Sequence, residues 1–135
     1  MKLPVLVGLL VAAFAAAAPA AAPTLPRVSV CGDGAALRPS YVLLGCGDGG
    51  QYLTRVRWSA WSRAGARGAG LWWQNLCTPD CATRHFIHPR VVVTLSRPRA
   101  CRPSGRLLFT RLRLAVKGKR AVVVTVPYSG TTRCP

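Results

Sequence analysis

All six cysteines of this 135-residue chain, Cys31, Cys46, Cys77, Cys81, Cys101 and Cys134, lie beyond an apolar N-terminal stretch, and that placement constrains the fold more than any other feature. The chain opens MKLPVLVGLLVAAFAAAAPAAAPTLPR: one lysine, an apolar run from Leu3 to about Ala18, then small residues and prolines. This is the layout of a secretory signal peptide. Ala18 and Ala20 supply the small side chains that a −3, −1 cleavage rule requires, so residues 1–20 are expected to be the signal peptide and 21–135 a single secreted domain. The apolar run is shorter than the roughly 20 residues of a membrane-spanning helix, and no later segment is long and apolar enough. No membrane span is therefore expected after cleavage. The remaining 115 of the 135 residues suffice for one buried core. Extracytoplasmic space is oxidising, so an even cysteine count in a small exported domain predicts three disulfides.

Proximity suggests the pairs Cys31–Cys46, Cys77–Cys81 and Cys101–Cys134, but six cysteines allow fifteen connectivities and the sequence leaves the choice open. The segment WQNLCTPDCATRHFIH sets Cys77, Cys81, His85 and His88 at intervals of four, four and three. Two thiolates and two imidazoles are a zinc ligand set, but zinc fingers separate their Cys and His pairs by about a dozen residues. Oxidation would also remove both thiolates. The segment is read as a disulfide-stapled turn shaped by Pro79 and Asp80, with Cys77 and Cys81 bonded to each other or to more distant cysteines. No metal and no cofactor are expected.

Charge comes next, because three acids cannot neutralise the bases. The whole chain carries 19 Lys and Arg against three Asp and no Glu, a formal net charge of +16 that becomes +15 when Lys2 leaves with the signal peptide. Most of that charge must face solvent or an external anion. Such a field attracts polyanions and keeps like molecules apart, so a monomer is expected.

Short apolar runs punctuated by glycine and proline predict an all-β fold, an antiparallel β-sandwich of about seven short strands. The runs are Val28 to Cys31, Tyr41 to Cys46, Tyr52 to Trp61, Leu71 to Leu76, Arg90 to Ser96, Leu107 to Val116 and Ala121 to Val126. CGDG occurs twice, fifteen positions apart, as turn chemistry. Ala64 to Gly70, with three glycines, reads as a flexible loop. Lys117, Gly118 and Lys119 read as a hairpin turn. A small helix is weakly signalled around 77–88.

Strict alternation along Tyr52 to Trp61 places Thr54, Val56, Trp58 and Ala60 on one face and Leu53, Arg55, Arg57, Ser59 and Trp61 on the other. In the 107–116 run it separates Leu108, Thr110, Leu112, Leu114 and Val116 from Phe109, Arg111, Arg113 and Lys117. Arg55, Arg57, Arg111 and Arg113 are thus outward, and would repel if their strands were neighbours. Trp72 and Trp73 are adjacent, so in an extended strand only one can be buried.

Arg38-Pro39-Ser40, Cys46-Gly47-Asp48-Gly49, Trp58-Ser59-Ala60-Trp61 and Cys77-Thr78-Pro79-Asp80-Cys81-Ala82 follow one another in an order that resembles small secreted proteins of actinobacteria with no assigned function. The resemblance covers most of positions 31–101. It implies export and a cysteine-stabilised fold, and it carries no catalytic residue.

The parts of familiar enzymes are missing. Glycoside hydrolysis needs two carboxylates and zinc proteases an HExxH glutamate. Only Asp33, Asp48 and Asp80 exist, each beside turn residues, and no GxSxG elbow accompanies His85 or His88. The expected function is non-catalytic: a secreted basic protein binding anionic polymers of the cell envelope or extracellular space, with Arg55, Arg57, Trp61, Arg111 and Arg113 as candidate contacts. The alternative is a carbohydrate-binding module that stacks sugars on an exposed tryptophan.

Overall fold

The computed structural model describes Ala18, residues 24–31 and residues 34–127. Most of the expected signal peptide, Asp33 and Cys134 lie outside the described residues. The described residues are all-β: β1 (Val42–Leu43), β2 (Gln51–Trp61), β3 (Gly65–Asn75), β4 (Phe86–Ile87), β5 (Arg90–Ala100), β6 (Leu107–Ala115) and β7 (Val122–Thr125). They form one antiparallel sheet in the order β1-β2-β3-β5-β6-β7, with β4 paired to the edge of β3.

The expected sandwich is corrected to a single sheet curled into a half-barrel. Hydrogen bonding runs unbroken from β1 to β7, so among the described residues no second sheet remains to pack against it. The inner layer is instead largely irregular chain. Val28, Val30 and Leu44, outside the strands, and Val42 of β1 join Leu53, Val56, Trp72, Val91, Val93, Leu95, Phe109, Leu112, Leu114 and Val126 in one core. The predicted strand at 28–31 reduces to one isolated bridge, Val28 with Ala36, next to another from Arg27 to Leu108.

β2 shows why the sheet curls. Its pairing with β3 slips between Thr54 and Arg57 and again between Trp58 and Ala60, so it carries two bulges. A bulge inserts an unpaired residue, bends the strand and increases its twist. Arg55, at φ 52°, sits within the first. The alternation predicted for this strand is therefore overturned: Leu53 and Val56, three apart, are both buried, and Trp58 and Trp61, also three apart, meet edge to face at 4.8 Å. The freed Val56 N–H donates to the Ser40 carbonyl at 3.0 Å. Trp58 Nε1 donates to the Pro39 carbonyl and Trp61 Nε1 to the Pro26 carbonyl, each at 2.9 Å. Two indoles thus fasten the N-terminal layer to the sheet.

Ala64 to Gly70 is correspondingly not a loop, because Gly65–Asn75 is one continuous strand. Its glycines answer to close approach. A Cβ on Gly68 would lie 2.7 Å from the Arg57 carbonyl oxygen and 2.9 Å from the Trp58 ring, and one on Gly70 would lie 2.8 Å from the Thr54 carbonyl oxygen. Phe109 also leaves its predicted face. It is fully buried, three residues from the equally buried Leu112, and its ring meets Trp61 edge-on at 5.6 Å. On the neighbouring strand Arg97 has φ 55°, another departure from regular strand geometry. The 77–88 segment contains β4 and no helix. The Lys117–Lys119 turn joins β6 to β7 as expected, with Gly118 at φ 75°.

Two of the suggested disulfides are present, Cys31–Cys46 and Cys77–Cys81. Cys101 is bonded as well, and its expected partner lies outside the described residues. In the chain-entropy view the bridge spanning 15 positions restrains the unfolded chain more than the one spanning four.

Two outcomes are expected from urea denaturation. Gly68→Ala or Gly70→Ala should cost about 1–3 kcal/mol through forced overpacking, while Gly47→Ala, where a Cβ would meet nothing within 4 Å, should stay within about 0.5 kcal/mol of the parent. Replacing Cys31 and Cys46 by serine should cost about 3 kcal/mol and replacing Cys77 and Cys81 about 2 kcal/mol, as the loop lengths dictate. The reverse order would contradict the entropic account.

Candidate anion-binding face

The outer face of the sheet is built in cross-strand rows that follow from the register. One row is Gly65, Ser96, Arg111, Thr125, and the next is Ala60, Arg67, Thr94, Arg113, Val123. Then come Arg57, Ala69, Val92, Ala115, and finally Thr54, Leu71, Arg90. In no row does one arginine stand directly opposite another. The predicted clash of β2 arginines with β6 arginines does not arise, because β3 and β5 lie between those strands. Small residues or hydroxyls separate the charges instead.

Two hollows open on this face. The first, about 340 Å³, is lined by Arg55, Arg57 and Arg90 around Ala69, Gly70 and Leu71. Arg55 and Arg57 are both exposed, on either side of the buried Val56. The second, about 380 Å³, is lined by Arg97, Arg99, Thr110, Arg111, Val123 and Thr125. Among the described residues none of these arginines forms an ion pair. The two described carboxylates are engaged elsewhere. Asp48 accepts the Gly50 N–H at 2.8 Å, and Asp80 accepts the Thr83 N–H at 2.8 Å and its hydroxyl at 2.9 Å.

Of the residues singled out in the sequence, Arg55 and Arg57 come together, with Arg90 as a third member that the sequence reading missed. Arg90 opens a strand, and only the β3–β5 register brings it beside the β2 arginines. Arg111 falls in the second hollow, and Arg113 lies one row away, facing Thr94. Trp61 does not join them. It is half-buried on the inner side, with its N–H bonded to Pro26 and its ring against Trp58 and Phe109.

The exposed aromatics lie elsewhere on the sheet. Trp72 is buried, at 8% exposure, and Trp73 points outward. Its ring stacks near-parallel to Tyr52 at 5.8 Å and meets His88 at 4.3 Å, with Phe86 edge-on at 6.2 Å. Tyr41, 54% exposed, continues the series beyond Tyr52. Trp73 Nε1 donates to Thr54 Oγ1 at 3.0 Å. These rings form a ladder across the strands β1 to β4, with both neighbours of Trp73 already in place.

The Cys77–Cys81 loop is held by Asn75, whose side chain donates to the Cys81 carbonyl at 2.8 Å and accepts the Cys77 N–H at 3.1 Å. Both sulfurs are in the disulfide, so neither can act as a thiolate ligand to His85 or His88. The Thr83 backbone N–H, aided by its hydroxyl, holds the Asp80 carboxyl below the usual aspartate range.

The two disulfides point to an oxidising, extracellular environment. No helix among the described residues is long and apolar enough to cross a membrane. No protein-family description, no curated protein and no solved structure matches the chain.

Because its folded pKa is lowered, Asp80 contributes stability that is fully present above the ordinary aspartate pKa and is lost as pH falls through the folded value. An NMR titration should place its midpoint below that of an unstructured aspartate, and Thr83→Val, lacking the hydroxyl, should move it partway back. A midpoint at the ordinary value would show that the turn does not favour the ionised form.

Proposed function

We propose that the protein is secreted and non-catalytic, and binds anionic polymers of the cell envelope or the extracellular space through the outer arginine face. The carrying observation is the set Arg57, Arg67, Arg90, Arg111 and Arg113, placed by the strand register, together with Arg55 in the β2 bulge, spread over one face with no carboxylate among the described residues to pair with it. Arginine presents a planar fork of donors that matches carboxylate, sulfate and phosphate oxygens, and it keeps its charge at any physiological pH. The export signal, the disulfides and the resemblance to small secreted actinobacterial proteins agree with an extracellular role. Like charge on every copy favours a monomer.

A second reading, a carbohydrate-binding module, is favoured by one observation: Tyr41 stands largely exposed at the end of the Tyr52, Trp73, His88 ladder. It would bind neutral glycans without regard to salt and would perturb tryptophan fluorescence. Silence across a neutral glycan panel would remove it.

The test of the first reading is retention on a single-stranded polyanion across a salt series. Six engaged arginines should give a slope of log K against log salt of roughly −4. Arg67→Ala or Arg113→Ala should each flatten that slope by roughly one unit. Binding that does not weaken as salt rises would overturn the proposal.

A further inference from the structure

We infer that the outer face takes a flexible acidic polysaccharide lying diagonally across the strands, with the Arg55, Arg57, Arg90 hollow seating one acidic sugar. The inference rests on the polyanion reading above and names its ligand class. The first hollow combines three guanidinium groups with a floor of Ala69, Gly70 and Leu71, and its volume of about 340 Å³ lies at the small end of ligand-binding clefts. A sugar ring can rest its C–H face on such a floor while its carboxylate or sulfate receives bidentate hydrogen bonds from arginine.

The route to the second hollow is lined for the same chemistry. Thr94 stands between Arg67 and Arg113, while Ser96 and Thr125 flank Arg111 in its row. Hydroxyls both donate and accept, and a polymer rich in hydroxyls can use either capacity. From Arg57 to Arg111 the path crosses three strand spacings and four residues along β5, roughly 20 Å along the sheet. One sugar cannot cover it, so affinity must grow with chain length.

Nucleic acid fits this face less well. Single-strand binders interleave cations with aromatic platforms for the bases. Here the rows that carry Arg57, Arg67, Arg111 and Arg113 contain no aromatic residue, and the rings are gathered around Trp73, which lies between Tyr52 and His88. A duplex, stiff over about 150 base pairs, cannot follow a curled sheet.

The experiment is a low-salt calorimetric titration of the full secreted protein with oligogalacturonides, from the monomer to chains longer than the track, and with oligothymidylates matched in charge. Affinity for the galacturonides should climb with length and level off once both hollows are spanned, and should exceed that for the matched oligothymidylate. Arg90→Gln, or Arg57→Ala with Arg90→Ala, should weaken short oligogalacturonides by about tenfold or more. Arg120→Ala, in the β6–β7 turn, should leave them unchanged; melting curves report whether each variant is folded. Oligothymidylate binding as tight or tighter overturns the acidic-glycan assignment and leaves the polyanion reading standing. Absence of binding to both probes overturns both.

Discussion

At Gly68 and Gly70 the backbone of β2 comes so close to β3 that a single added carbon would sit 2.7 Å from one carbonyl oxygen and 2.8 Å from another. That approach permits the two bulges of β2, and much of the molecule follows from them. The bulges bring Leu53 with Val56, and Trp58 with Trp61, onto the inner side, where the two indoles hold the N-terminal layer through Pro39 and Pro26. Arg55 and Arg57 stay outside, on either side of buried Val56. A side chain at either glycine would disturb core, curl and basic hollow together, since one strand geometry produces all three.

Electrostatics then shapes the outer face. Like charges opposite one another destabilise a sheet, and a chain with 19 basic residues and three acidic ones cannot avoid crowding by pairing. The register avoids it geometrically, placing alanine, valine, leucine, serine or threonine opposite each outward arginine that it pairs. The same spacing makes the face a lattice of separated donors interleaved with hydroxyls. Insulation of the charges from one another and their availability to a ligand have one structural cause.

The all-β class, the two disulfides among the described cysteines, the β6–β7 hairpin and the outward Arg55, Arg57, Arg111 and Arg113 were legible because each depends on local residue type or on spacing within one strand. What escaped depended on partners. Ala64 to Gly70 reads as a loop because glycine signals flexibility unless a neighbouring backbone occupies its missing side chain, and for Gly68 and Gly70 that neighbour is β2. Trp61 departs from its expected face because alternation fails where β2 inserts residues, and Arg55 itself carries no signal of its left-handed backbone; Phe109 turns inward although β6 keeps a constant register with β5, beside the irregular Arg97 at φ 55°. Arg90 was passed over because membership of the hollow is set by the β3–β5 register. The sandwich expectation failed for a related reason: strand count suggests two sheets only when no irregular segment can cover one, and the segment carrying Val28, Val30 and Leu44 does so here.

The arginine face also links binding to stability. Exposed like charges repel across the screening length of about 8 Å in physiological salt, and no described carboxylate offsets them, so the free folded state carries a repulsion that the expanded chain largely escapes. The closed core and the disulfides hold the fold against it. A polyanion that engages the folded face, and finds no such array in the unfolded chain, removes that repulsion while adding hydrogen bonds, and so stabilises the fold by mass action. On the proposed reading, the arginines that oppose compaction in the free protein would be the groups through which a bound polyanion reinforces it, while the strand register, by keeping them apart, limits the repulsion in the free protein.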